Sequence, residues 1–211
     1  MTQTTSQRHV PLGRIVAAAA LSIASTASLA QGAITLYGGA RAGGDFIDQT
    51  NNDAKITLAS GAAIAASYDW ILADGRQAQI FYSFQRSALP GSLVNRTSDI
   101  GLGISYLHAG GRVYFDGSYA TDGGYLAGGL GVTYFKPDLD EFSSEVRASM
   151  NLALGYQWML SRQVALRAEM RGYLTLINSS GGFFCNGGCT VSIRGDTLTQ
   201  FEGLVGLSYG F

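Results

Sequence analysis

Apolar side chains recur at every second position of this sequence over segments of ten residues or more. In the first such segment the alternating positions are Ile34, Leu36, Gly38, Ala40, Ala42 and Phe46. Polar or small residues stand between them. A period of two is that of a β-strand, whose successive side chains point to opposite faces of the sheet. The pattern therefore predicts an all-β fold.

Eight segments follow this period, and the connections between them alternate in length. The segments begin near residues 34, 58, 77, 99, 125, 147, 164 and 198. Short turns fall at 72–76 and 161–163, whereas longer polar stretches fall around 48–53, 87–98, 136–145 and 178–197. An even strand number with this asymmetry is typical of bacterial transmembrane barrels. We predict a closed antiparallel transmembrane β-barrel of eight strands with up-and-down topology.

The fourth segment is the weak point of this prediction. Its alternation predicts Ile100, Leu102, Ile104 and Tyr106 on the outer face. Between residues 107 and 124 many glycines interrupt the alternation, so the sequence does not define where the strand ends.

A soluble β-sandwich is the competing architecture, because its strands also alternate. The predicted outer faces, however, stay apolar for up to six successive positions, and the strands are long enough for a tilted bilayer crossing. Aromatic residues also gather at one predicted end of the strands, as an interfacial girdle would. They are Tyr68, Trp70, Tyr156, Trp158, Tyr209 and Phe211. These features favour the barrel.

Residues 1–30 have the pattern of a secretory signal peptide. Arg8 and Arg14 precede an uncharged, Ala-rich stretch that ends with the small residues Ser28 and Ala30 at the −3 and −1 positions. The apolar run is shorter than a transmembrane helix and richer in serine and alanine. We therefore predict export, with residues 31–211 as a single barrel domain.

Composition excludes several classes of partner. Charged residues make up 14% of the chain, against about 25% in typical soluble domains. Without Arg8 and Arg14, 12 of the 14 basic residues remain against 15 acidic ones, a net charge of about −3, which does not suggest nucleic acid. No glycine pair is followed by Lys-Ser or Lys-Thr, as a phosphate-binding loop requires. We predict no cofactor and no nucleic-acid partner.

Several charged residues fall on the predicted inner faces. They are Arg41, Arg147, Arg167, Glu169, Arg171 and Glu202. The interior of an eight-stranded barrel is about wide enough for side chains to fill it, and charges without water need partners. We therefore predict ion pairs that plug the lumen, with Glu202 level with Arg41. The alternative is that these charges line a path for a substrate.

The sequence carries little that suggests catalysis. Nucleophilic hydrolysis by a Ser/His arrangement needs a base beside the nucleophile and a third group that orients the base. His108 is the single histidine of residues 31–211, and no serine or acid stands at a suggestive spacing from it. We predict no catalytic residue and a non-enzymatic protein.

Cys185 and Cys189 are the two cysteines of the chain. An exported protein meets an oxidising compartment, so we predict a disulfide between them. A metal site would need about four ligands, and no cluster of histidines or carboxylates adjoins this pair.

The final strand resembles a known assembly signal. Val205, Leu207, Tyr209 and the terminal Phe211 are similar to the C-terminal insertion signal of outer-membrane barrels. The opening Ile34-Thr35-Leu36-Tyr37-Gly38-Gly39 looks like the first strand of porin-type proteins. With the motifs at 106–111 and 128–133 and the cysteine loop, residues 31–211 resemble the small bacterial outer-membrane β-barrel proteins, also grouped as porin-like or outer-membrane β-barrel-domain proteins.

This resemblance implies a cellular setting. It implies an outer-membrane location with both mature termini in the periplasm, contact with outer-membrane lipid, and insertion by the barrel-assembly machinery. We expect a monomer with a structural or surface-interaction role, whose external partner the sequence does not identify. A small passive porin-like channel is the second hypothesis. A lipid-modifying enzyme is the third hypothesis, because some small barrels are enzymes, notably lipid A deacylases and palmitoyltransferases. It ranks last because these enzymes resemble this chain in size alone.

Overall fold

The computed structural model describes residues 32–48, 54–89, 100–138, 143–177 and 197–211. The predicted signal peptide and the loop with Cys185 and Cys189 lie outside these ranges. The described strands are β1 (Gly32–Ala42), β2 (Asp45–Asp48), β3 (Ala54–Thr57), β4 (Gly61–Ala73), β5 (Arg76–Leu89), β6 (Ile100–Tyr114), β7 (Gly123–Pro137), β8 (Glu145–Met159), β9 (Val164–Leu176) and β10 (Thr197–Gly210).

Eight of the described strands close into an antiparallel barrel, which confirms the predicted all-β, up-and-down architecture. Each barrel strand pairs with the next along the chain, and β1 pairs with β10 to close the circle. Closure leaves no unpaired sheet edge, so the backbone hydrogen bonds along the wall can be satisfied within the protein. Among the described residues, no helix is long and apolar enough to cross a membrane.

The first barrel strand is shorter than the alternation suggested. β1 ends at Ala42, and the segment from Asp45 pairs instead with β3 in a separate two-stranded sheet. Between β1 and β2 the backbone at Gly43 passes very close to the backbone at Leu58. A Cβ on Gly43 would lie 1.8 Å from the carbonyl oxygen of Leu58, so only glycine permits this approach.

The two ends of the barrel differ. The turn end carries the connections 74–75, 115–122 and 160–163 together with Gly32 and Phe211, and the loop end carries the opposite ends of the same strands, among them Ala42, Leu89, Pro137 and Leu176. Asp74 and Gly75 form a two-residue hairpin turn, in which Gly75 has a φ of 67°. In the 115–122 connection, Thr121 and the backbone N–H of Ser118 donate to Asp116, which lowers the pKa of that carboxyl group.

The outer surface forms an apolar band. Exposed leucine, isoleucine, valine and methionine side chains cover the wall, including Leu36, Ile64, Leu107, Leu130, Leu152, Met170, Val205 and Leu207. Aromatic rings gather on the outside of the turn end. The ring centroids of Tyr156 and Trp158 lie 4.8 Å apart, and Tyr68 stacks on Phe211 with 6.4 Å between the ring centroids. An apolar band with an aromatic girdle suits a bilayer crossing.

The predicted orientation of β6 is wrong. Leu102, Ile104 and Tyr106 are buried in the lumen at 1% exposure or less, while the outer positions between them hold Gly101, Gly103 and Ser105. Alternation finds the two faces of a strand, but an apolar face can meet either lipid or an apolar part of the lumen. Here the apolar face fills the lumen near the loop end. β6 ends at Tyr114, which resolves the ambiguous segment.

The closed wall predicts resistance to mild denaturation. We expect an unboiled sample to migrate differently from a boiled one on a denaturing gel, because every strand must part from two neighbours before the barrel opens. Identical migration together with a helical circular-dichroism spectrum would contradict the fold.

Candidate functional site

The lumen is filled by side chains arranged in three layers along the barrel axis. At the loop end lies an apolar layer of Leu58, Leu102, Ile104, Phe135, Ile177 and Leu198, each at 2% exposure or less. Below it, toward the turn end, lies an aromatic layer built around Arg41, Glu202, Tyr106 and Tyr173. An ionic layer of Asp69, Arg112, Arg167, Glu169 and Arg171 follows.

Asp69 is the central acceptor of the ionic layer. Its Oδ2 lies 3.0 Å from Nη1 of Arg112 and 2.9 Å from Nη1 of Arg167. Gln79 donates to its other oxygen at 2.7 Å, and Ser67 donates to Oδ2 at 3.0 Å. A fully buried carboxylate with four donors is well compensated for the loss of water.

Glu169 forms the second half of this layer. Its Oε1 lies 2.7 Å from Nη2 of Arg171, and its Oε2 lies 3.7 Å from Nη2 of Arg112. Tyr125 donates to Oε2 at 3.1 Å. Arg171 also donates to Asn151 at 2.6 Å, and its guanidinium lies 3.7 Å from the ring centroid of Phe81. Arg112 thus bridges Asp69 and Glu169, so the two acids and three arginines form one network.

The aromatic layer contains a separate ion pair. Nη2 of Arg41 lies 3.0 Å from Oε1 of Glu202, and Ser83 bridges the two by accepting from Arg41 at 2.6 Å and donating to Glu202 at 2.7 Å. Tyr173 donates to the other Glu202 oxygen. The guanidinium lies over the ring of Tyr106, which stacks on Tyr173 at 4.0 Å.

Arg41 is less well satisfied than the arginines of the ionic layer. Its Nε and Nη1 have no hydrogen-bond partner among the described residues, although the side chain is fully buried. The described lumen as a whole holds four arginines against three carboxylates. Loss of any carboxylate therefore increases an existing excess of positive charge.

Two glycines make room for rings of the lumen. A Cβ on Gly155 would lie 2.3 Å from Cζ of Tyr125, and one on Gly206 would lie 2.5 Å from Cδ1 of Tyr37. Each ring therefore packs directly against the backbone of the neighbouring strand, at the residue with which its own residue pairs. Tyr37 accepts a hydrogen bond from Arg112 at 3.2 Å, so this packing also supports the ionic layer.

The turn end is partly covered by the 115–122 connection. Gln157 donates to the carbonyl oxygens of Tyr119 and Thr121 at 2.9 and 3.2 Å, which holds this connection over the mouth of the barrel. Gln157 in turn accepts from Arg167 at 3.0 Å. A cavity of about 390 Å³ remains at this end, and Arg167 lies at its inner limit.

His108 lies in the lumen. Its Nε2 is 3.0 Å from the Ser149 hydroxyl, but its Nδ1 has no hydrogen-bond partner within the described ranges. Both side chains are buried. A nucleophile–base pair needs an orienting group on the far nitrogen and access for a substrate, and this geometry supplies neither from the described residues.

The structure brings most of the predicted lumen charges together. Arg41 meets Glu202, and Glu169 meets Arg171. Arg147 is different: it pairs with Glu145 of its own strand at 2.6 Å, with side-chain exposures of 22% and 13%. It lies at the loop-end rim, where β8 begins, and its ion pair there is formed with Glu145.

Sequence reasoning missed two central members of the network. Asp69 stands between the outward-facing Tyr68 and Trp70, so its inward orientation could have been inferred from the alternation. Arg112 falls in the glycine-rich part of β6, where the alternation is interrupted by Gly110 and Gly111. No local signal marks it as a lumen residue.

The apolar wall and packed lumen define a small transmembrane β-barrel whose interior is filled by side chains. Comparison with solved structures gives the same fold: the chain is similar to neisserial surface protein A, with 14% identity, a TM-score of 0.56, and coverage of 85% of this chain and 99% of that one. The fold is therefore that of the small outer-membrane barrels.

Two other solved structures are similar to the chain. OprG of Pseudomonas aeruginosa has 18% identity and a TM-score of 0.49 over 86% of this chain and 96% of that one. Ail of Yersinia pestis has 12% identity and a TM-score of 0.44 over 86% and 99%. No protein-family model and no curated protein sequence matches the chain.

Proposed function

We propose that this protein is a non-enzymatic outer-membrane barrel with a closed lumen, and that its role is structural or in surface interactions made by the loop end. One observation carries the proposal: three successive layers of buried side chains fill the lumen. A solute would have to separate the Asp69 and Glu169 network, then the Arg41–Glu202 pair, and then the apolar layer.

The outer-membrane setting is part of the proposal. It is supported by the apolar band, the aromatic girdle and the fold of the small outer-membrane barrels. The predicted signal peptide (1–30) would provide export, and the terminal Phe211 motif would direct insertion by the barrel-assembly machinery. With short connections on the periplasmic side, both mature termini lie in the periplasm. In this oxidising setting Cys185 and Cys189 form a disulfide.

A non-enzymatic role is supported by the position of His108, the single histidine of residues 31–211. His108 is buried in the lumen beside the stacked rings of Tyr106 and Tyr173, whose centroids lie 5.6 and 5.8 Å from its own. A lipid acyl chain outside the wall could not reach it without opening the barrel. The passive channel remains the alternative that a direct measurement decides.

Planar-bilayer recording tests the closed lumen. We expect the native protein, inserted at low density, to show no steady conductance, because the ion pairs and the apolar layer leave no continuous water path. A boiled sample of the same preparation serves as the control for nonspecific leakage. A large, stable conductance from the folded protein would replace this proposal with the channel.

A further inference from the structure

An apolar groove runs across the outer wall of the barrel. It has a volume of about 1020 Å³ and runs from β7 across β8, β9 and β10 to β1 near the loop end. One row of paired residues crosses these five strands: Leu126, Leu154, Met170, Gly203 and Ala40. The groove therefore runs across the strands rather than along one of them.

The floor of the groove is formed where an outward side chain is missing. A Cβ on Gly203 would find no heavy atom within 4 Å, so this position opens directly to the outside. Around it rise Phe201, Met170 and Leu152, which are 61%, 73% and 62% exposed. Large side chains around a residue without one create a concave surface within the otherwise convex apolar band.

We propose that the acyl chain of a membrane lipid occupies this groove. The inference rests on the membrane placement proposed above, since hydrocarbon is then the medium that surrounds this wall. The outward-facing walls are apolar apart from Thr199 and Ser60 near the loop end. A flexible chain can follow an oblique groove, and methionine and leucine walls adapt to its shape.

The same surface does not favour a second copy of this protein. In a bilayer, chain association gains nothing from the hydrophobic effect and depends on close packing and on hydrogen bonds between the chains. The centre of the groove offers no side-chain donor or acceptor, and its walls project unevenly around Gly203. A lipid chain needs neither a polar partner nor a matching rigid ridge.

Filling the groove tests the proposal, and the chain offers a matched control. Gly203→Leu puts a side chain on the groove floor. Gly38→Leu puts the same side chain on the same apolar band but outside the groove, at another position where a Cβ would find no atom within 4 Å. Both variants and the native barrel would be extracted from membranes in mild detergent, washed equally, and weighed with their adducts by native mass spectrometry.

We expect the native protein and Gly38→Leu to retain one phospholipid, and Gly203→Leu to retain roughly tenfold less, because the new side chain displaces several methylene contacts. Equal retention by the two variants would overturn the proposed lipid site but not the membrane placement. The absence of retained lipid on a native barrel that inserts into phospholipid vesicles would have the same consequence. Failure to insert into the vesicles would overturn the membrane placement as well. A native dimer that Gly203→Leu separates would assign the groove to a second copy.

If Gly203→Leu does not fold, as judged by its migration before and after boiling, Met170→Ala provides the second variant. It lowers one wall without adding volume, and we expect it to retain less lipid than the native protein. Unchanged retention in this variant would also overturn the proposal.

Discussion

Asp69→Asn is expected to lower the free energy of unfolding by about 3–5 kcal/mol, the range for breaking a buried ion pair from one side. Asparagine keeps the approximate shape and can still accept hydrogen bonds from Gln79 or Ser67. It removes the charge that holds Arg112 and Arg167, whose Nη1 atoms both lie within 3.0 Å of the same oxygen. Two buried guanidinium groups would then face each other with Glu169 as the remaining acid of the layer.

Guanidinium-induced unfolding in detergent micelles would measure this loss through the emission of Trp70 and Trp158. Asp74→Asn is the matched control, because it makes the same chemical change in an exposed two-residue turn where Asn-Gly and Asp-Gly are both favoured. We expect the control to change stability by less than about 0.5 kcal/mol. Equal stability of the two variants would mean that the network does not support the barrel.

Glu202→Gln is expected to destabilise the barrel by a similar amount, about 3–5 kcal/mol, and a second change should restore most of it. The single variant leaves Arg41 charged and buried, with Nε and Nη1 already lacking partners among the described residues. Adding Arg41→Met removes that charge while filling much of its volume. Neutral replacement of a buried ion pair is often without net cost.

The same unfolding assay would compare both variants with Glu145→Gln. That control breaks the rim pair with Arg147, whose side chains are partly exposed. Pairs of this kind contribute about 0–1 kcal/mol. If the double variant were as unstable as Glu202→Gln alone, the stranded charge of Arg41 would not be the cause of the loss.

The alternation of apolar residues was sufficient for the fold and for the orientation of most strands. Side chains at successive positions of a strand must point to opposite faces, so the outer positions of β1, β8 and β10 follow directly from the sequence. Strand number and the difference between the two ends follow from the spacing of these segments. The same rule placed Arg41 and Glu202 inside the barrel, and counting from the ends of the first and last strands, which must pair to close it, placed them at one level.

Alternation could not say what an apolar face meets. Leu102, Ile104 and Tyr106 of β6 have the pattern of a lipid-facing row, yet they fill the lumen. The free energy of burying these side chains is gained in either place, since both surroundings exclude water. The choice depends on the volume that the other seven strands leave inside, which no single segment specifies.

The partners of the lumen charges were also decided by the tertiary structure. Asp69 lies 43 residues from Arg112 and 98 residues from Arg167, and the three meet because closure of β1 on β10 sets the register of every strand in between. A shift of two residues in one pairing would preserve every inward orientation and exchange the ion pairs. The sequence thus determined which residues face the lumen on most strands, whereas closure of the barrel determined which of them touch.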